Sequence, residues 1–239
     1  MKTTIPVSEI FLAVQGEGMQ IGRPTVFVRT GGCDFRCSWC DSMYAVDPKH
    51  KAEWKPMTPT EILDTIDTIT GGTPILITLS GGNPAIHNFA DFCVLAKRRG
   101  HTLTMETQGS KFAVWMNQLD FLCLSPKPPS SGMENKFNPV EFEKCLSTGF
   151  PSLSVKIVVF DETDLAWALD VFKTCPSGYA RLYLQAGNND VHTADQNDAV
   201  LGALTSYAWL ERQVLKRKLF HVTVLPQLHV LVHGNKRGV

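Results

Sequence analysis

"PILITLSGGNPAIHNFADFCVLAKRRG", residues 74–100, holds a strand, a loop and a helix in succession. Residues 74–80 form a continuous apolar run of strand length. After a glycine pair, Ile86, Phe89, Phe92, Cys93 and Ala96 fall on one helical face, and Gly100 follows as a stop signal. An apolar strand beside an amphipathic helix is the repeating unit of a parallel sheet covered by helices. The same grammar extends outward in both directions. "TVFVRT" (25–30) comes before it, and a helix begins at Thr58, with Pro59 in its first turn and Glu61 closing a capping box. Downstream lie "TLTMET" (102–107), a short helix around 113–118 and "DFLCLS" (120–125). "SVKIVVF" (154–160) precedes a helix over Glu162–Lys173, "RLYLQA" (181–186) a helix from about 194 to 216, and "HVTVLP" (221–226) is the last strand. About six strand-then-helix units are too few for a closed eight-fold barrel. The expected fold is therefore α/β, a partial (β/α)6 barrel, with residues 1–239 as a single domain. Each strand runs into a polar loop: "RTGGC", "SGGNP", "ETQG", "SPKPPSS" and "QAGNND". In such folds the chemistry gathers at these C-terminal strand ends.

The 239 residues are 44% apolar and carry 23 basic and 23 acidic side chains, a formal net charge of zero. A nucleic-acid interface needs clustered excess positive charge, so a small-molecule substrate fits better. No apolar run suits a signal peptide or a membrane span, and cytoplasm is the expected location. Seven cysteines, an odd number, agree with a reducing compartment. Cys93, Cys123, Cys145 and Cys175 are scattered among apolar neighbours and read as small buried hydrophobes.

The other three cluster in "GGCDFRCSWCD" (31–41), where Cys33, Cys37 and Cys40 are separated by three and two residues. A structural zinc site takes four ligands, and a disulfide framework takes pairs. Three thiolates suit a [4Fe–4S] cube whose fourth iron stays open. Gly31 and Gly32 permit close backbone approach, and Trp39 is placed to shield the cluster.

This triple, straight after a strand of a partial barrel, resembles the signature of the radical S-adenosylmethionine (SAM) enzymes. The resemblance implies that SAM occupies the open iron and yields a 5′-deoxyadenosyl radical when an electron arrives from the cluster. It places "SGGNP" (80–84) at the SAM ammonium, with Asn83 where the superfamily commonly has Glu; the amide oxygen is expected to face that ammonium. SAM contacts fall at Trp39, Cys40, Asp41, Gly82, Ser125, Pro126 and Lys127, and at Gln185, Ala186, Gly187 and Asn188.

The flanks narrow the match. "QGEG" (15–18), Arg29, "CDS", "SGGNP", "METQG", "LSPKPPSS", "LQAGNNDVHT" and "LPQLHVLVHGNKRGV" resemble the 7-carboxy-7-deazaguanine synthase family along essentially the whole chain. That family implies a 6-carboxy-5,6,7,8-tetrahydropterin substrate, hydrogen abstraction at C6, ring contraction and loss of ammonia. It also implies Mg²⁺ at Ser42, a reducing protein such as a flavodoxin, and a homodimer. Substrate contacts carry over to Val14, Gln15, Gly16, Glu17, Arg29, Ser80 and His229, and to Val239 through a terminal carboxylate. His192 reads as a loop residue, and His50, His87, His101 and His221 have no partner in the pattern. Two other readings stay open at this point. A glycyl-radical activase shares the cysteine spacing but needs a broad docking face, and a non-catalytic iron–sulfur or zinc module has no use for the polar strand ends.

Overall fold

The strand from which the reading began lies within one nine-stranded sheet. The structure, a computed structural model, describes residues 3–147, 152–175, 178 and 180–239. The strands are β1 (Ile5–Val14), β2 (Pro24–Thr30), β3 (Lys55–Met57), β4 (Leu76–Gly81), β5 (Thr102–Thr107), β6 (Phe121–Leu124), β7 (Leu153–Val159), β8 (Ala180–Ala186) and β9 (Val222–Leu225). Their order is β3-β1-β2-β4-β5-β6-β7-β8-β9. From β2 through β9 every neighbouring pair is parallel, whereas β1 pairs antiparallel with both β2 and β3. The two end strands do not meet, so the sheet is an open, partial barrel.

The antiparallel N-terminal flap is an addition to the expected architecture. Its strand "IPVSEIFLAV" has no clean alternation because the register shifts between Val7 and Glu9. A bulge of this kind resets the two-residue period on which strand reading depends.

Helices α1 (Met43–Val46), α2 (Pro59–Thr70), α3 (Ala90–Arg98), α4 (Pro139–Leu146), α5 (Glu162–Lys173), α6 (Gln196–Lys216) and α7 (Leu228–His233) fill the connections. The capping box of α2 forms as expected: Glu61 N donates to Thr58 Oγ1 at 3.3 Å, and Thr58 N donates to Glu61 Oε2 at 2.7 Å. Gly100 closes the turn after α3 at φ +81°, a left-handed conformation that favours glycine. Two differences come from local chemistry. α3 starts at Ala90, because Pro84–Ile86 forms a separate 3₁₀ turn capped by Asn83. α4, which the hydrophobic pattern does not announce, is started by the Asn138 side chain accepting from Val140 N and Glu141 N, with Pro139 first in the helix.

The core forms where helices cover the sheet. Ile62, Leu63 and Ile66 of α2, Phe92, Cys93 and Ala96 of α3, Leu165 and Ala168 of α5, and Leu210 of α6 are all fully buried. Every residue of β7 is buried. Cys93, Cys123 and Cys145 are buried as expected, and Cys175 is half-buried, its thiol on the Val171 carbonyl. Among the described residues no helix is long and apolar enough to cross a membrane.

Candidate active site at the strand ends

A cavity of about 270 Å³ opens at the C-terminal ends of the parallel strands, between the cysteine loop and the last residues of the chain. Cys33, Cys37 and Cys40 all line it. The loop is shaped by its glycines: a Cβ on Gly31 would stand 2.2 Å from the Trp54 ring, and Gly32 sits at φ +98°. Burial raises the pKa of all three thiols, while the Lys127 charge pulls Cys37 and Cys40 the other way. Among the described residues no three His, Cys, Asp or Glu side chains converge on a point that would hold one metal ion. Three soft thiols on one cavity wall fit an iron–sulfur cluster in which three irons each take one thiolate and the fourth stays open. Trp39 stands beside them, its indole N–H donating to Ser130 Oγ at 3.0 Å and its ring 5.2 Å from that of Phe160.

The glycine pair meets this loop at van der Waals limits. Gly82 N donates to Thr30 O at 3.0 Å and Asn83 N to Gly32 O at 2.8 Å. Asn83 departs from expectation. Its side chain is fully buried and lies outside the cavity lining, so it does not present its oxygen there. That oxygen accepts from Thr107 Oγ1 at 2.7 Å and Ala85 N at 3.2 Å. Its amide nitrogen donates to Asp34 Oδ1 at 2.8 Å and Ser110 Oγ at 3.1 Å. A carboxylate at position 83 would face that of Asp34 and lose both donations. Asn83→Glu is expected to cost the apoprotein about 2 kcal/mol in urea unfolding, and Asp34→Asn in the same chain should restore most of it.

The other expected SAM contacts divide. Asp41, Gly82, Lys127 and Asn188 line the cavity beside Trp39 and Cys40. Ser125, Pro126, Gln185, Ala186 and Gly187 do not line it and form a layer behind. The reason is packing: Ser125 N donates to Thr107 O at 2.7 Å, Gly187 N donates to Val159 O at 3.0 Å, and a Cβ on Gly187 would press 2.5 Å from the Phe160 ring. Gln185 is wholly buried, and among the described residues neither amide atom has a hydrogen-bond partner. The Ser80 hydroxyl, in the cavity wall, is likewise buried and has no partner among the described residues. Unsatisfied buried groups are costly, and of these two only Ser80 lines the cavity, where a polar ligand could meet its hydroxyl.

The expected substrate residues Val14, Gln15, Gly16, Glu17, Arg29, Ser80, His229 and Val239 all line the same cavity. Gly16 is required by packing, since a Cβ would fall 2.5 Å from His229 Nδ1. Glu17 is not a free carboxylate. It is paired with Lys156 of β7, whose ammonium also lies 2.8 Å from Glu106, and Gln227 Nε2 donates to it at 2.9 Å. The Lys156 side chain is 1% exposed. Burial pushes Glu17 toward its neutral form, but the charges of Lys156 and His229 and the hydrogen bonds from Lys156 and Gln227 prevail and hold it well below the usual carboxylate range. Burial likewise works against the Lys156 charge, and Glu106 and Glu17 outweigh it, so its pKa is raised.

Elsewhere in the lining, Arg29 Nε donates to Glu9 Oε1 at 2.7 Å. Glu9 also accepts from Tyr44 at 2.9 Å and from Arg237 Nε at 3.0 Å. Ser42 donates to Asp41 Oδ1 at 2.6 Å. Lys156, Glu9, Tyr44 and Arg237 were not among the expected site residues. Only Lys156 carries a signal in the sequence, a lone charge inside the apolar run "SVKIVVF".

Residues 14–122 match a family model described as a 4Fe-4S single cluster domain. The chain is 41% identical over 238 residues to a 7-carboxy-7-deazaguanine synthase of Bacillus cereus, covering 98% of this chain and 99% of the relative. It is also 41% identical over 248 aligned positions to that of Bacillus subtilis, covering all of both. The fold is similar to that of the crystal structure of QueE from Escherichia coli, with a TM-score of 0.68, 20% identity and 92% of each chain covered. Three thiols on the cavity wall, an open parallel sheet and end-to-end similarity to these synthases lead to one assignment: the chain belongs to the 7-carboxy-7-deazaguanine synthase family, within the radical SAM enzymes.

Proposed function

We propose that the protein converts 6-carboxy-5,6,7,8-tetrahydropterin to 7-carboxy-7-deazaguanine with loss of ammonia, on the route to queuosine and related 7-deazapurines. The observation that carries this reading is one cavity shared by three thiols and by the polar wall of Arg29, Glu17, Ser80 and His229. An activase has no need of that enclosed polar wall, and a binding module has no need of the thiols beside it. When bound, a [4Fe–4S] cluster and SAM supply one-electron chemistry and hydrogen abstraction at substrate C6.

The chain's own residues do the rest. Cys33, Cys37 and Cys40 would hold the cluster. Trp39, Asp41, Gly82, Lys127 and Asn188 would line the SAM side, supported from behind by Ser125, Pro126, Gln185, Ala186 and Gly187. Glu9 anchors Arg29 through Nε, and the terminal guanidinium nitrogens, without hydrogen-bond partners among the described residues, are available to grip the substrate carboxylate in bidentate fashion. Glu17, kept ionised by Lys156, accepts from the donor-rich edge of the pterin, with the backbone of Val14, Gln15 and Gly16 beside it and His229 against the ring. Val239 closes the same wall. The oxygens of Ser42 and Asp41 form a hard pair suited to Mg²⁺, which keeps most of its coordination for water and substrate. A reducing protein such as a flavodoxin, a homodimeric state and a cytoplasmic location complete the reading.

The test is anaerobic reconstitution with iron and sulfide, followed by electron paramagnetic resonance of the reduced cluster with and without SAM. Product is then assayed from the carboxy-tetrahydropterin, with and without Mg²⁺. A cluster signal that shifts with SAM, together with 7-carboxy-7-deazaguanine formation, supports the proposal. A cluster that forms without pterin turnover overturns the substrate assignment. Arg29→Lys loses the planar fork, and KM is expected to rise about tenfold with a smaller change in kcat.

A further inference from the structure

Cys33 is flanked by a hydrogen-bonded network centred on its neighbour in the chain. Asp34, the next residue, takes Gln108 Nε2 at 2.6 Å and Asn83 Nδ2 at 2.8 Å on one carboxylate oxygen, and Ser110 Oγ at 2.6 Å on the other. Gln108 is buried, lies just beyond β5, and directs the same amide nitrogen to Cys33 Sγ at 3.7 Å. An ionised carboxylate only accepts, so Asp34 compels Gln108 to present its NH₂ group, and not its carbonyl, to the sulfur.

We propose that Gln108 sets the reduction potential of the cluster held at Cys33, and that Asp34 is the positioning residue that orients it. The inference rests on the cysteines holding an iron–sulfur cluster and is independent of the substrate. A donor to a ligating sulfur stabilises the added negative charge of the reduced cluster, and therefore raises the potential. Asp34 contributes in two opposed ways. Its own charge disfavours reduction, whereas its hold on Gln108 favours it. The sign of each variant's shift separates the two.

The experiment is a redox titration of the reconstituted, substrate-free protein, followed by electron paramagnetic resonance. Gln108→Met keeps the length and removes the donor. It should make reduction about tenfold less favourable, a fall of about 59 mV for one electron. Gln108→Leu is the second variant should the first take up iron poorly, and apoprotein unfolding checks that both fold. Asp34→Asn, Gln108→Met and the double variant form a cycle. Positioning requires that Asp34→Asn raise the potential more when Gln108→Met is already present than in wild-type, where loss of orientation offsets loss of charge. An unchanged or raised potential in both Gln108 variants overturns the proposal for Gln108. Strictly additive shifts overturn the positioning role of Asp34. Wild-type protein that assembles no cluster defeats the parent reading instead.

Discussion

Lys156→Met is expected to lower the stability of the apoprotein by about 4 kcal/mol in urea, because it leaves two carboxylates facing each other without their cation. Breaking a buried ion pair by removing one partner costs about 3–5 kcal/mol, since the surviving charge stays desolvated. Here the Lys156 side chain is 1% exposed and serves both Glu17 and Glu106. The chain combining it with Glu17→Gln and Glu106→Gln should recover most of the loss, because buried neutral amides cost far less than unpaired charges.

The pH profile gives the same prediction a sign. In the native protein the Glu17 pKa is depressed, so its contribution is fully present above the ordinary carboxylate value and is lost as pH falls toward the folded value. The Lys156 pKa is raised, so its contribution is fully present below the ordinary lysine value and is lost as pH rises through the folded one. Without Lys156, burial dominates at Glu17 and lifts its folded pKa above the unfolded one. The folded variant then binds more protons than the unfolded chain, and acid stabilises it. From about pH 7 down to pH 5 the native triad should therefore hold its stability while the variant gains it, and below about pH 4 the native protein should lose stability as pH falls. Parallel profiles, or a loss under about 1 kcal/mol, the range of a surface pair, would mean that the triad is not a buried ionic unit.

Gly82→Ala, just after β4, is expected to be the most damaging single methyl added against the cysteine loop. Its Cβ would stand 1.9 Å from Gly32 O. That carbonyl cannot withdraw freely, because it accepts from Asn83 N at 2.8 Å, and Gly32 N donates to Ala45 O at 2.7 Å. A methyl forced against fixed backbone on both sides should cost on the order of 4 kcal/mol and separate the cysteine loop from β4. Gly202→Ala in α6 is the control: nothing lies within 4 Å of the added Cβ, and a gain of about 0.5–1 kcal/mol is expected. Urea unfolding of both apoproteins and iron content after reconstitution would be measured. Full iron uptake by the Gly82 variant would show that the contact does not shape the cluster loop.

Each strand from β4 onward was legible because its signal is local. Val155, Ile157 and Val159 sit in a run that can only be buried, and Thr58 with Glu61 announces a helix within four residues. The triple of Cys33, Cys37 and Cys40 is equally local, which is why the chemistry of the site could be read from a stretch of eleven residues. β1 was not legible, since the bulge near Glu9 broke its period. The amide of Asn83 was misplaced for a different reason: three of its four hydrogen-bond partners, Asp34, Thr107 and Ser110, are chosen by the fold, and only Ala85 is a neighbour in sequence.

The sequence by itself therefore determined the parallel sheet, the bounds of α5 and nearly those of α6, the start of α2 and the identity of the soft-metal loop, all of which follow from periodicity, caps and spacing over short distances. Only the tertiary structure decided which charges neutralise one another. Lys156 and Glu17 are 139 residues apart, and Gln227 reaches Glu17 across 210. Coulomb energy and desolvation depend on separation in space and on burial, and neither quantity exists until the strands have been laid side by side.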